Sequence, residues 1–103
     1  MARAACKYLP SEVEWLASEG RVVATKDARN GLSNHDYDEE TLCEVVSSIV
    51  THGKFHKQLL LREGKTADVY NVNVLGREWY LKFHVDEAND GGNVVIVMSC
   101  KCW

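Results

Sequence analysis

The second half of the chain alternates between apolar and polar residues with a period of two. The alternation is clearest over residues 68–85, where a short turn at Leu75-Gly76-Arg77 joins two arms. Because successive side chains of a strand point to opposite faces, this pattern predicts a β-hairpin with one core face. In the second arm the core positions are Trp79, Leu81, Phe83 and Val85, and the opposite positions are Tyr80, Lys82 and His84.

Further segments around this hairpin have the composition of strands. Residues 55–61 and 93–100 are rich in apolar side chains, and a turn sequence of Asn, Asp and two Gly at 89–92 precedes the second of them. Residues 21–25 are short and partly β-branched, which predicts a brief extended segment. These segments predict an antiparallel sheet of about four or more strands.

The first half of the chain has signals for helices instead. Ser11, with a glutamate three residues later, has the form of a capping box, and Gly20 is well placed to end the helix that follows. Thr25 or Asp27 can cap a single helical turn, which Asn30-Gly31 is expected to break.

A longer amphipathic helix is predicted next. Its apolar residues recur at helical spacing, and they are Leu42, Val45, Val46, Ile49 and Val50. Asp36 offers a cap with Glu39 three residues later, and His52-Gly53 ends the pattern. Helices followed by strands predict the α+β class, with two to three helices on one face of the antiparallel sheet, in a single domain over residues 1–103.

The totals restrict the class of protein. The chain has 103 residues, of which 46% are hydrophobic, enough for one modest core. No apolar run approaches the roughly 20 residues of a membrane helix, and residues 1–10 lack the apolar stretch of a secretory signal. We therefore expect a cytoplasmic protein with no membrane partner. Its four cysteines are then expected to be reduced. A zinc site usually has two close-spaced pairs of ligands, and this sequence has only one close-spaced pair of cysteines, so we expect no metal site and no cofactor.

Charge is distributed unevenly along the chain. The net charge is −3, yet residues 51–103 hold seven Lys and Arg against six Asp and Glu. Four cations crowd into twelve residues beside His52 and His56, and they are Lys54, Lys57, Arg62 and Lys65. This segment is either a local anion-binding patch or a solvated edge strand, since lysines on an edge also block aggregation.

The row of Tyr80, Lys82 and His84 is the second candidate for chemistry. Each side chain can donate a hydrogen bond, the lysine carries a positive charge, and imidazole titrates near neutral pH. The alternative is that this row is a solvent-facing sheet surface without any function, because antiparallel sheets often have one face exposed to water.

The order of helices and strands resembles the RelE-like bacterial toxins, and the sequence fragments are most similar to the MqsR toxins of type II toxin–antitoxin systems. The similar fragments extend over about ninety residues, and they are Glu19-Gly20-Arg21-Val22, Ala24-Thr25, Phe55-His56-Lys57, Asp68-Val69-Tyr70, Tyr80-Leu81-Lys82 and Ser99-Cys100-Lys101. The resemblance implies an mRNA-cleaving endoribonuclease, acting on free mRNA or on the ribosome, that a cognate antitoxin protein neutralises.

The resemblance also assigns residues to the site. The family's catalytic positions fall on Lys57, Tyr80 and Lys101. Two positions depart from the family pattern, because Ala67 replaces a glutamine and His56 replaces the tyrosine that usually precedes the first catalytic lysine. The acidity of the whole chain is a third departure, since RelE-like toxins tend to be basic.

Metal-free RNA cleavage needs a base for the 2′-hydroxyl, positive charge for the phosphorane and an acid for the leaving oxygen. We assign catalysis to Lys57, Tyr80, Lys101 and His56. The residues assigned to RNA binding are Arg62, Lys54, Lys82, Tyr70 and His84, of which Tyr70 is expected to stack on a splayed base. The alternative is a catalytically weakened homologue that acts as a protein-binding or RNA-binding module.

Overall fold

The computed structural model describes residues 6–34, 37–61 and 64–102, which form four helices and one five-stranded sheet. The helices are α1 (Pro10–Ser18), α2 (Lys26–Ser33), α3 (Glu39–Ser47) and α4 (Ile49–His52). The strands are β1 (Val22–Ala24), β2 (Gly53–Leu60), β3 (Thr66–Val74), β4 (Arg77–Glu87) and β5 (Asn93–Cys102). The predicted α+β class is confirmed. Within the described residues, no helix is long and apolar enough to cross a membrane.

The sheet has the order β1-β5-β4-β3-β2. The four longer strands pair antiparallel, as predicted, while β1 joins the edge of β5 in parallel, with Val22 opposite Val95. The sequence indicated an extended segment at β1 but not its partner. Its partner could not be inferred because β5 lies about seventy residues later. Local sequence patterns do not indicate which strands pair over that distance.

The helices cover one face of the sheet and enclose the core there. The predicted core positions Trp79, Leu81 and Phe83 are fully buried, and Val85 packs against them. Helix α1 contributes Val13 and Leu16, and further buried residues come from α2, α3 and α4. We call the opposite face of the sheet, which carries Tyr80 and Lys82, the open face.

Helix α1 begins earlier than predicted and ends as predicted. Its first residue is Pro10, preceded by Leu9 without any side-chain cap, so the predicted cap at Ser11 is wrong. Proline suits this position because its missing N–H would have no helical partner. At the other end Gly20 has φ of 74°, and Arg21 N–H donates to Leu16 O at 2.9 Å, which closes the helix in the expected way.

Helix α2 is longer than the single turn predicted for it. Thr25 caps it, with Ala28 N–H donating to Thr25 Oγ1 at 3.3 Å, and the helix continues through Asn30-Gly31 to Ser33. A Cβ at Gly31 would lie 2.5 Å from the carbonyl oxygen of Cys100. Gly31 is therefore a site of close approach between α2 and β5, not a helix breaker.

Replacing Gly31 by alanine is expected to lower the free energy of unfolding by about 1 kcal/mol or more. A 2.5 Å contact with a backbone carbonyl lies toward the upper end of the about 1–3 kcal/mol that overpacking typically costs. The cost therefore exceeds the gain of about 1 kcal/mol in helix propensity by about 1–2 kcal/mol. Urea denaturation measures the difference. Arg29→Ala, on the exposed surface of the same helix, is the control and is expected to change stability little. A stabilised Gly31→Ala variant would contradict this account of the contact.

The predicted long helix is interrupted. Asp38 caps α3, with Thr41 N–H donating to Asp38 Oδ1 at 3.3 Å, whereas the predicted cap Asp36 lies outside the described residues. The hydroxyl of Ser48 donates to Glu44 O at 2.7 Å, and such local bonds compete with helix continuation. Leu42, Val45, Val46 and Ile49 are buried as predicted, but Val50, which follows the interruption, is 48% exposed.

Candidate functional site

Two rows of side chains cross the open face in register. The first row runs from β2 to β5 through Lys54, Asn71, Tyr80 and Lys101. The second row lies beside it and runs through Lys57, Val69, Lys82 and Ser99. Tyr80 and Lys101 are direct cross-strand neighbours, so their Cα atoms are about 5 Å apart. The structure therefore brings two of the predicted catalytic residues together.

Lys57 lies further away on the same face. It is two strands and one row from Tyr80, a Cα separation of about 12 Å for ordinary strand spacing. Lys82 is closer, because it follows Tyr80 by two residues on β4 and belongs to the row beside Lys101. Lys82, which the sequence assigned only to binding, is thus nearer to the Tyr80–Lys101 pair than Lys57 is.

Four lysines of the open face have no acidic partner among the described residues. Lys54, Lys57 and Lys101 are exposed, Lys82 is partly buried, and none of the four forms an ion pair there. The ion pair that does lie on this face joins Lys65 and Asp86 at its edge. A chain of net charge −3 therefore presents four lysines without ion pairs on one surface, and lysines in that state attract anions.

A β-bulge in β2 determines where Lys57 points. Phe55 lies opposite Tyr70 and Lys57 lies opposite Val69, so His56 is an extra, exposed residue with no partner in the register. Without the bulge, simple alternation from Phe55 would turn Lys57 toward the core. Bulges re-aim side chains and are frequent beside active sites.

A second bulge does the same in β5. Val97 lies opposite Phe83 and Ser99 lies opposite Lys82, which leaves Met98 as the extra residue. Val97 is buried in the core, so alternation without the bulge would carry Ser99 and Lys101 to the core face as well. The bulge places Lys101 beside Tyr80 and gives the core face to Cys100 and Cys102.

Tyr70 does not belong to the open face, and its predicted role in stacking on a base is wrong. The ring is 3% exposed and stacks on Phe83, with ring centroids 5.9 Å apart. Its hydroxyl lies near the Cys6 thiol and makes no ordinary hydrogen bond to the described residues. Burial, and then Cys6, raise the pKa of Tyr70.

His84 lies at the end of the open face but is not available as predicted, because it is only 8% exposed. Arg62, which the sequence also assigned to RNA binding, lies outside the described residues. Burial lowers the pKa of His84, and the positive charge of Lys65 lowers it further, while Asp86 partly opposes both. Ala67 and Val69 on β3 are fully buried too, so this part of the face is not the bare surface that was predicted.

The buried imidazole is expected to make the protein less stable in mild acid. The pKa of His84 is lower in the folded chain than its ordinary value of 6.5. Its stabilising contribution is therefore present above that value and is lost as pH falls through and below it. Thermal unfolding between about pH 7.5 and pH 5.5 should show the loss. His84→Gln should reduce it, and an equal loss in both proteins would contradict the assignment.

Some residues of the surface were missed by the sequence reasoning. Asn71 lies between Lys54 and Tyr80, and the alternation of asparagine and valine in β3 could have revealed it. Ser99 could not be placed without the bulge. Helix α2 adds a cleft of about 510 Å³ against β5, lined by Asp27, Asn30 and Asn34 together with Ser99 and Lys101.

The cysteines and other metal-binding residue types form no site among the described residues. No group of three or more His, Cys, Asp or Glu side chains is arranged there to hold an ion. Cys6, Cys43, Cys100 and Cys102 are all free thiols.

No known protein family, curated protein or solved structure matches this chain.

Proposed function

We propose that this chain is an endoribonuclease that cleaves mRNA through attack of the 2′-hydroxyl, and that it acts as the toxin of a type II toxin–antitoxin pair. The observation that carries the proposal is the Tyr80–Lys101 pair on a face where four lysines have no acidic partner among the described residues. Two bulges turn Lys57 and Lys101 onto that face. The resemblance of several sequence fragments to the MqsR toxins supports the same function.

In the proposed reaction the phosphate lies over the Tyr80–Lys101 pair. The ammonium groups of Lys101 and Lys82 stabilise the negative charge of the phosphorane, which is where fixed charges contribute most. A base on β2, Lys57 or His56, takes the proton of the 2′-hydroxyl as its oxygen attacks phosphorus. Tyr80 donates a proton to the departing 5′-oxygen, and the products are a 2′,3′-cyclic phosphate and a 5′-hydroxyl.

Analysis of the RNA ends tests the activity. The purified protein is incubated with mRNA alone and, in parallel, with mRNA on translating ribosomes. We expect fragments that end in a 2′,3′-cyclic phosphate and begin with a 5′-hydroxyl in at least one of the two settings. Intact RNA in both settings, or fragments that begin with a 5′-phosphate, would refute the proposed reaction.

The toxin role is tested in growing cells. Induction of the wild-type chain is expected to arrest growth, and Lys57→Ala is expected to relieve the arrest because an exposed lysine is removed from the proposed RNA path. Lys7→Ala is the matched control, since Lys7 is also exposed but lies outside the two rows. Equal arrest by the wild-type chain and Lys57→Ala would remove Lys57 from the site. Coexpression of the cognate antitoxin is expected to restore growth.

One observation favours a second candidate, a binding module without turnover. Ala67, at the position where the MqsR toxins have glutamine, is fully buried and has no polar side chain to offer. Such a module would bind RNA through the same lysines, with an affinity that falls steeply as salt rises, and would leave the RNA intact after long incubation.

A further inference from the structure

The cleft between α2 and β5 opens beside the Tyr80–Lys101 pair. Ser99 and Lys101 form its β5 side, and each is paired in register with a residue of the open face, Lys82 and Tyr80 respectively. Its volume of about 510 Å³ lies within the range of about 300–1,000 Å³ that small-molecule sites occupy. A ligand held over Tyr80 would therefore lie next to this cleft.

The α2 side of the cleft is entirely polar apart from Gly31. Asp27, Asn30 and Asn34 are spaced by three and four residues, which places them on one side of the helix, while Ala28 and Leu32 are buried on the other. None of these three polar side chains forms a hydrogen bond or ion pair within the described part of the chain. Within the described residues, their donors and acceptors are therefore available to a ligand.

The position of this polar side is fixed by contacts of α2 with β5. The Thr25 hydroxyl donates to Met98 O at 3.2 Å, and Thr25 N–H donates to Val97 O at 2.9 Å. Gly31 lets the helix backbone approach Cys100 closely. Groups held in place before binding lose less conformational freedom when a ligand arrives, which favours selective recognition.

We infer that this cleft binds one unpaired RNA base next to the phosphate that is cut, and that Asp27, Asn30 and Asn34 set the preference for that base. The inference rests on the proposed function. The Asp27 carboxylate repels phosphate, so the backbone stays at the Lys101 end and the base enters the cleft. Amide groups donate and accept while a carboxylate only accepts, a combination that matches the pairing edge of a base with N–H groups.

Sequencing of cleaved ends tests the inference. RNA with a randomised cleavage region is treated with the wild-type chain and with Asp27→Asn, which keeps the shape of the side chain but adds a donor. We expect the preference at one position adjacent to the cut to change by about tenfold or more. Glu44→Gln, an exposed change on α3, should leave it unaltered. An unchanged preference in Asp27→Asn would overturn the inference.

A binding experiment separates failure of this inference from failure of the nuclease proposal. Short RNAs lacking 2′-hydroxyls, each with a different base at the central position, are titrated into the wild-type chain and Asp27→Asn. Affinities that differ between bases in the wild-type chain, and lose that difference in Asp27→Asn, support the base site even if no RNA is cleaved. Equal affinities for all four bases overturn the base site even if cleavage is observed.

Discussion

Replacing Tyr80 by phenylalanine is expected to slow RNA cleavage by about 10²–10⁴-fold, the usual contribution of one general acid or base. The change removes one hydroxyl and keeps the ring, so β4 and its pairing with Lys101 should persist. Single-turnover rates on one RNA measure the effect, and RNA affinity should change much less than the rate.

Tyr37→Phe is the matched control for that experiment. The Tyr37 ring packs against Trp79, with ring centroids 5.1 Å apart, and its hydroxyl accepts a hydrogen bond from Arg77 Nε at 3.1 Å, so the control removes a hydroxyl outside the two rows of the open face. Its cleavage rate should stay close to that of the wild-type chain. If Tyr80→Phe cleaves as fast as the control, the reaction does not use the Tyr80 hydroxyl.

Replacing Asp68 by alanine is expected to have the largest effect on stability. Its carboxylate is fully buried, and its two oxygens accept hydrogen bonds from the backbone N–H groups of Lys7 and Tyr8, both at 2.9 Å. Each bond to a charged group contributes about 1.5–3 kcal/mol, so the free energy of unfolding should fall by about 3–6 kcal/mol. That is a large fraction of the roughly 5–15 kcal/mol by which domains are stable.

Urea denaturation of Asp68→Ala and Asn73→Ala provides the comparison. Asn73 lies on the same strand and is exposed, so its replacement should cost little. Asp68→Asn keeps one acceptor oxygen and should fall between the wild-type chain and Asp68→Ala. A loss below about 1 kcal/mol for Asp68→Ala would mean that the two backbone bonds do not hold residues 7–8 to the sheet.

The parts of the fold that repeat locally could be predicted from sequence. The period of two fixed the core face of β4, and helical spacing found the buried side of α3. What was missed depends on contacts between distant residues. Gly31 reads as a helix breaker until Cys100 is known to lie against it, and the partner of β1 is about seventy residues away.

The same difference between local patterns and distant contacts explains which residues of the candidate site could be predicted. Tyr80 and Lys82 share a face by plain alternation, so the sequence could place them together. Lys57 and Lys101 reach that face only because His56 and Met98 are extra residues in their strands, and a bulge leaves no clear mark in sequence. The error at Tyr70 could have been avoided, because Tyr70 and the buried Val72 are two residues apart on one strand and therefore face the same side of the sheet.

Mapping the bound RNA on the protein tests the central claim most directly. An RNA without 2′-hydroxyls is titrated into the isotopically labelled chain while backbone amide signals are followed by NMR. We expect the largest shifts at Lys54, Asn71, Tyr80, Lys82 and Lys101, which the register collects on the open face. Shifts confined to α1 and α3, or none at RNA concentrations that support cleavage, would contradict the account.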